Sequence, residues 1–362
     1  MTAAHYLFMA GGTGGHVFPA LAVAQELVKR GAKVSWLGTS THIESQVIPA
    51  ANIPLHTITV KGVRGKRWLS RLIAPFILMT AIWQTLIIFL KIKPSVVIGF
   101  GGFVSAPGGL AAKLLNKKLI VHEQNAVAGS TNKLLARLAN KRLEAFRGSL
   151  ANALWTGNPV RNDIVELHQL SSQTDASKKS VSTPKKLLII GGSLGAQALN
   201  EMVPASLALV PASLRPEVWH QTGKGKQIGV DTLYTNNGIH ARVAEFIDDM
   251  ATAYGWADLI ICRSGAMTVS EVSIAGLPAI FIPYPHAIDD HQSRNAERMV
   301  SHGAALVQQQ SELTAERLAK ILTPLLQDDK RLIRMGEIAR QLSLPGATVQ
   351  IADICEEIAC AN

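Results

Sequence analysis

Tyr6-Leu7-Phe8-Met9-Ala10-Gly11-Gly12-Thr13-Gly14-Gly15-His16 is an apolar strand run that breaks into a glycine-rich turn. Leu187-Leu188-Ile189-Ile190-Gly191-Gly192-Ser193-Leu194-Gly195 repeats the pattern 180 residues later. A helix-like run follows each. A strand that ends in glycines and opens a helix is where an α/β sheet receives phosphate or sugar, because backbone N–H groups there are unpaired and a ligand can approach closely. A third turn, Gly99-Phe100-Gly101-Gly102-Phe103, lies in the first half. One such turn heads each half, which predicts two α/β domains whose turns face one cleft.

Working outward, apolar β-branched runs alternate with amphipathic runs. Strands are expected near 5–10, 33–37, 54–60, 95–99 and 118–122, with helices near 16–30, 42–51, 70–91, 104–116 and 128–140. After a polar stretch, Ser171 to Pro184, the alternation restarts with strands near 186–190, 216–220, 241–244, 258–262, 278–282 and 304–307. Closing helices are expected over 314–326, 328–342 and 347–360. Such alternation builds doubly wound, Rossmann-like parallel sheets. The domains are predicted as 1–160 and 161–340, with a helix in 341–362 returning towards the N-terminal domain. A chain of 362 residues is long enough for two cores, and 48% hydrophobic with 17% charged residues is a globular balance.

The net charge of +10 is unevenly placed. Residues 1–160 hold 18 Lys and Arg against 4 Asp and Glu, whereas the remainder holds 18 against 22. The basic half should meet an anionic surface. Nucleic acid is the weaker candidate: the basic residues between 61 and 93 flank an apolar stretch instead of alternating with exposed aromatics, and no nucleic-acid module is present. Leu72 to Leu90 is 19 residues without a charge, next to Arg64, Lys66, Arg67 and Arg71. It reads as a membrane span, a buried crossover helix, or a helix that docks on a phospholipid face. Three cysteines without a CxxC pair, and an N-terminus that enters its first strand at once, predict a reducing cytoplasm and no cleavable leader.

Two rival phosphate-binding classes weaken. A dinucleotide fingerprint wants an acidic residue at the end of the second strand, where this chain has Trp36-Leu37-Gly38-Thr39-Ser40, and a P-loop wants Gly-Lys-Ser/Thr after its glycines. A two-domain nucleotide-sugar transferase of the GT-B type fits better. Ser193 with its helix start is placed to hold a diphosphate, with Arg161 of Gly157-Asn158-Pro159-Val160-Arg161 as the cation. Arg263-Ser264-Gly265-Ala266-Met267-Thr268-Val269-Ser270-Glu271 is a further strand-to-helix turn. Glu271 can accept two ribose hydroxyls, or simply favour the helix dipole. Gln292 and Asn295, at i and i+3, share a face for reading a hexose. No DxD occurs, and the pairs Asp248-Asp249 and Asp289-Asp290 read as loop or helix-start carboxylates, so no metal and no cofactor is predicted. Cys262 reads as a strand-end core residue, and Gly223-Lys224-Gly225 as a surface turn.

Eight motifs in order make the whole chain resemble the MurG family, the bacterial UDP-N-acetylglucosamine:lipid I N-acetylglucosaminyltransferases. They are the first turn through Pro19, Gly101 to Gly109, His122-Glu123-Gln124-Asn125, Gly157 to Arg161, Gly191 to Ala196, Phe246-Ile247-Asp248-Asp249-Met250, Cys262 to Ala266, and His291-Gln292 with Asn295-Ala296. The resemblance implies a metal-independent, inverting transfer of GlcNAc from UDP-GlcNAc to the C4 hydroxyl of MurNAc in lipid I, giving lipid II for peptidoglycan. It implies a peripheral enzyme on the anionic cytoplasmic face of the bacterial inner membrane, among other wall-synthesis proteins. Its acceptor half would be N-terminal and its UDP-GlcNAc half C-terminal. Thr13, Gly14, Gly15, Asn125, Arg161, Ser193, Ile247, Ala266, Met267, Thr268, Val269, Ser270, Glu271 and Gln292 match positions that contact the sugar nucleotide in the family, Ile247 through backbone to uracil. Phe103 stands where the family usually has Tyr, and Ala106 where Gly is frequent.

Inversion needs a base opposite the leaving UDP. His16, after a glycine turn and with an imidazole's ordinary pKa near neutrality, is the candidate; it can equally be a helix-start residue that binds diphosphate. Glu123 is the alternative base. Other readings are a GT-B transferase with another lipid-linked acceptor, a UDP-GlcNAc 2-epimerase, and a non-catalytic membrane adaptor.

Overall fold

The computed structural model describes residues 4–60, 68–173, 184–192, 194–287 and 290–361, and the side chains of 68–74 and 170–173 fall outside that description. Two compact units result, Met1–Arg161 with Leu344–Asn362, and Asn162–Ser343.

The first unit carries seven parallel strands: β1 (His5–Ala10), β2 (Lys33–Gly38), β3 (Leu55–Thr57), β4 (Val96–Gly101), β5 (Lys118–Glu123), β6 (Lys141–Glu144) and β7 (Leu154–Trp155). Their order is β3-β2-β1-β4-β5-β6-β7. The helices between them are α1 (Gly14–Lys29), α2 (Glu44–Ala50), α3 (Trp68–Ile92), α4 (Ser105–Leu114) and α5 (Ser130–Ala136). The strand order reverses between β1 and β4, and the glycine turns after those two strands therefore lie side by side at the switch point. Alternate residues of the strands feed two cores: Tyr6, Phe8 and Ala10 face α1, while Leu7 and Met9 face the α3–α4 side.

After α6 (Asn162–Gln173), the second unit has six parallel strands: β8 (Lys186–Ile190), β9 (Glu217–Gln221), β10 (Ala241–Ala244), β11 (Leu259–Cys262), β12 (Ala279–Phe281) and β13 (Ala305–Val307). Their order, β10-β9-β8-β11-β12-β13, puts the switch point between β8 and β11. The connecting helices are α7 (Gln197–Ala208), α8 (Gln227–Asn236), α9 (Met250–Trp256), α10 (Ala266–Ala275) and α11 (His291–Ser301); α12 (Ala315–Gln327) and α13 (Asp329–Leu342) follow. The chain ends in α14 (Ala347–Cys360), which packs in the first unit. Ile351, Ala352, Ile354 and Cys355 enter the α1 core, and Arg30 pairs with Asp353 and Glu356, each at 2.7 Å.

The apolar run at Leu72 to Leu90 lies in α3, the crossover between β3 and β4. Ala81, Thr85 and Phe89, spaced i, i+4, i+8, are buried, and Ala81 and Phe89 join the core. Phe76, Met79, Trp83, Ile87 and Leu90 form an exposed stripe on the opposite face. The helix is long and apolar enough to cross a membrane, but its packed face makes it part of the sheet's topology.

Candidate active site

In the first unit, the two glycine turns are built into one another. Gly102 has φ +79°, and any side chain on it would run into the carbonyl of Gly11. Gly12 lies under the ring of Phe103, which leans on His42 at a centroid distance of 5.0 Å. Below them is a residue the sequence did not point to. Glu44 is fully buried and accepts from Gly12 N (3.1 Å), Thr39 N (3.1 Å) and Thr39 Oγ1 (2.7 Å). The strand β2 ends without a carboxylate, yet α2 folds one back from five residues further on to pin the first turn.

His16, in the first turn of α1, is half-buried, and its Nδ1 meets Thr13 Oγ1 at 3.0 Å. Its ring lies against Gly101 of the second turn: a Cβ there would stand 2.8 Å from His16 Cδ2 and 3.3 Å from Asn132 Nδ2. Gly14 and Gly15 lie in the same helical turn.

Glu123 departs from the expectation of an alternative base. It is buried, and its two oxygens accept from Asn125 N (2.9 Å), Asn125 Nδ2 (3.3 Å), Gly129 N (3.1 Å) and Asn132 Nδ2 (2.9 Å). Four N–H donors fill a carboxylate's acceptor capacity. Glu123 is a brace that orients Asn125 and Asn132. The rest of its motif is a brace too. Burial pushes His122 down to about 4, so the ring is neutral; Nε2 holds Gly157 O at 2.9 Å while Nδ1 accepts from Gln124 Nε2 at 3.0 Å. Asn158 Nδ2 donates to Gln124 O at 3.0 Å. The two motifs, 122–125 and 157–161, are thus one hydrogen-bonded unit, with Arg161 its last, half-buried residue.

In the second unit, the turn after β8 is backed by the turn after β9. Gly223, expected in a surface turn, packs against Leu194, and Lys226 Nζ donates to Leu194 O at 3.0 Å. Gln221 Nε2 holds Gly192 O at 2.9 Å. Ser193 lies outside the described residues.

The turn after β11 opens α10 at Gly265, with no side-chain cap. Ala266 and Val269 are buried, Met267 and Thr268 half-buried, and Ser270 Oγ turns back to Ala266 O at 2.9 Å. Glu271 is half-buried and accepts from Tyr254 OH at 2.9 Å. Cys262 is a buried strand-end thiol, pushed up by burial and by the Glu271 charge. Ile247 is buried beside the exposed ring of Phe246.

Gln292 Oε1 accepts from Tyr284 N at 2.9 Å, so its orientation is fixed with the amide nitrogen as the remaining donor. Asn295 departs from the expectation of a hexose contact. It is fully buried and donates to Ser264 O at 3.2 Å, supporting the α10 turn from behind. Arg263, which the sequence left without a role, donates to Ile282 O (2.9 Å), Pro283 O (3.2 Å) and Gln310 Oε1 (2.6 Å), and fixes the start of the loop that leads to Gln292. Among the described residues no group of three His, Cys, Asp or Glu is placed to hold a metal ion.

The chain is thus two doubly wound parallel-sheet units, each with glycine turns at its own switch point. The glycosyltransferase family 28 N-terminal domain matches residues 6–143 and the glycosyltransferase family 28 C-terminal domain matches 186–355. The chain is 49% identical over 358 residues, 98% of each chain, to a UDP-N-acetylglucosamine--N-acetylmuramyl-(pentapeptide) pyrophosphoryl-undecaprenol N-acetylglucosamine transferase of Cellvibrio japonicus. It is 50% identical to a protein of the same name from Pseudomonas fluorescens, over 98% of this chain and 99% of the other. The crystal structure of Acinetobacter baumannii MurG superposes with a TM-score of 0.82 at 40% identity, covering 98% of this chain and 99% of that one. The chain belongs to glycosyltransferase family 28 and, within it, to the MurG family.

Proposed function

We propose that this enzyme transfers GlcNAc from UDP-GlcNAc to the C4 hydroxyl of MurNAc on undecaprenyl-pyrophosphoryl-MurNAc-pentapeptide, with inversion. What carries the reading is the near-full-length identity to transferases named for that donor and acceptor. Backbone at Ile247 reads uracil, with the Phe246 ring beside it as an apolar face for the base. Glu271 accepts the ribose hydroxyls. The α10 start (Ala266 to Thr268) and the Ser193 turn receive the diphosphate. Gln292 donates its amide to the hexose. These contacts supply the charge stabilisation that a departing UDP requires.

The first unit presents the acceptor. As O4 attacks C1, the C1–O bond to the diphosphate breaks and UDP leaves with the electron pair. The O4 proton passes to His16 Nε2. That role requires the imidazole proton on Nδ1, the tautomer in which Nδ1 donates to Thr13 Oγ1 and the hydroxyl accepts. Glu123 is buried with both oxygens already accepting hydrogen bonds, which supports His16 over it.

Labelled UDP-GlcNAc incubated with a soluble lipid I analogue tests this. Labelled lipid product is expected, unchanged in EDTA. UDP-ManNAc in its place would mean epimerase chemistry, no product an adaptor, and activity lost in EDTA but restored by magnesium a metal-dependent site.

The exposed stripe of α3, ending at the exposed Lys91, lies on the membrane's cytoplasmic face in this reading. Arg64, Lys66 and Arg67 lie outside the described residues. The free thiols Cys262, Cys355 and Cys360 suit a reducing compartment. Because burying a large apolar side chain is worth about 1.5–3 kcal/mol, the double change Phe76→Ser with Trp83→Ser is expected to weaken binding to phosphatidylglycerol vesicles by at least about tenfold. Co-sedimentation measures it, and unaltered binding would remove α3 from the docking surface.

A further inference from the structure

Resting on the reading of the second unit as the donor site, we infer that Tyr254 is a positioning residue: its phenol aims the Glu271 carboxylate at the ribose and couples ribose recognition to the loop that meets the base. Nothing in the sequence marks Tyr254, which lies 17 residues before Glu271 on a different helix. Its ring is buried, and its only polar atom reaches Glu271 Oε2 at 2.9 Å. Burying a phenol requires an acceptor for its O–H, and an ionised carboxylate is a strong one. A carboxylate accepts about four hydrogen bonds, so one from Tyr254 leaves capacity for vicinal ribose hydroxyls while it restricts the side chain's rotation.

The second half of the inference comes from what holds α9. That helix begins at Asp249, whose Oδ1 accepts from Thr252 N at 2.9 Å and whose Oδ2 accepts from Thr252 Oγ1. Asp249 is two residues from Ile247. The segment 246–249 therefore ends in a cap, the cap fixes α9, and α9 delivers Tyr254 to Glu271. A pyrimidine that settles the 246–249 loop also settles the ribose acceptor. Asp249, one of the paired carboxylates in the sequence, has its place here as a helix cap.

Tyr254→Phe keeps the ring and removes the O–H. Calorimetric titration with UDP and with 2′,3′-dideoxy-UDP separates positioning from packing. The variant is expected to bind UDP about tenfold more weakly, the loss typical of a hydrogen bond to a charged group, with dideoxy-UDP binding unchanged. In turnover, KM for the donor rises while kcat is retained. Equal weakening towards both ligands, or a wild-type preference for UDP, would reduce Tyr254 to a space-filling residue and overturn the inference. Glu271→Gln is the companion variant. If it erases the preference for UDP while Tyr254→Phe does not, the donor reading stands and the Tyr254 role falls. If Glu271→Gln also keeps the preference, the ribose role of Glu271 fails and this inference with it.

Discussion

His16→Ala is expected to lower kcat by about 10²–10⁴-fold, the range for a lost general base, with the donor KM changed by no more than about threefold. The split follows from position. His16 opens α1 in the first unit, whereas the residues proposed for UDP-GlcNAc are, Asn125, Arg161 and the first turn apart, in the second. Its ring is held from two sides, by Thr13 at Nδ1 and by the close approach of Gly101, so the imidazole is oriented before substrate arrives. Removing it takes away a proton acceptor without removing a donor contact. The acid limb of the kcat/KM profile should vanish in the variant. Thr13→Val should retain the limb but lower kcat less, because the ring loses its hydrogen-bond partner at Nδ1 and with it part of its orientation. Saturated turnover by His16→Ala at the wild-type rate would place the base elsewhere; the four donors on Glu123 mean that it could not simply take over.

The alternation of strands and helices was legible because each central strand is a run of apolar, mostly β-branched or aromatic residues buried on both faces. The last two strands, β6 and β7, were not. Lys141–Glu144 carries three charges in four residues and Leu154–Trp155 is two residues long; β6 is a strand because β5 offers it an edge, and β7 because β6 does. The polar helix α6 was hidden for a similar reason, since its sequence lacks a strong apolar stripe. Strand order was also out of reach, as it depends on which way each crossover turns. At the site, glycine turns announce themselves, because only glycine tolerates such backbone and such proximity. Polar residues within a motif do not say where their hydrogen bonds go. Glu123 and Asn295 look like ligand contacts in the sequence, yet both are buried and hydrogen-bonded within the protein, Glu123 to Asn125, Gly129 and Asn132, and Asn295 to Ser264 O. Glu44 and Tyr254 look like nothing, since their partners, Gly12 and Glu271, are distant in sequence.

Gly195→Ala is expected to destabilise the second unit by about 3 kcal/mol or more and to weaken UDP binding at least about tenfold, whereas Gly192→Ala costs about 1–2 kcal/mol. Both glycines have positive φ, +69° and +86°, so both variants pay the left-handed strain of an L-residue. They differ in surroundings. Around Gly192 an added Cβ meets nothing within 4 Å, while at Gly195 it would overlap the carbonyl of Thr222. That carbonyl cannot readily give way. It accepts from Asn200 Nδ2 at 3.1 Å, and Asn200 Oδ1 is in turn held by His220 Nε2 at 3.2 Å, with His220 Nδ1 on Tyr234 OH at 2.8 Å. The chain is buried throughout, and burial pushes His220 down to about 3, so it stays neutral and keeps the tautomer this chain demands. Strain at Gly195 therefore falls on the glycine turn rather than on its support, and the turn's N–H groups are displaced from the diphosphate. Denaturant unfolding with UDP titration on the two variants measures the difference. Equal losses in both would show that the Thr222 contact does not set the turn, and that the binding geometry of this loop is local to residues 191–195.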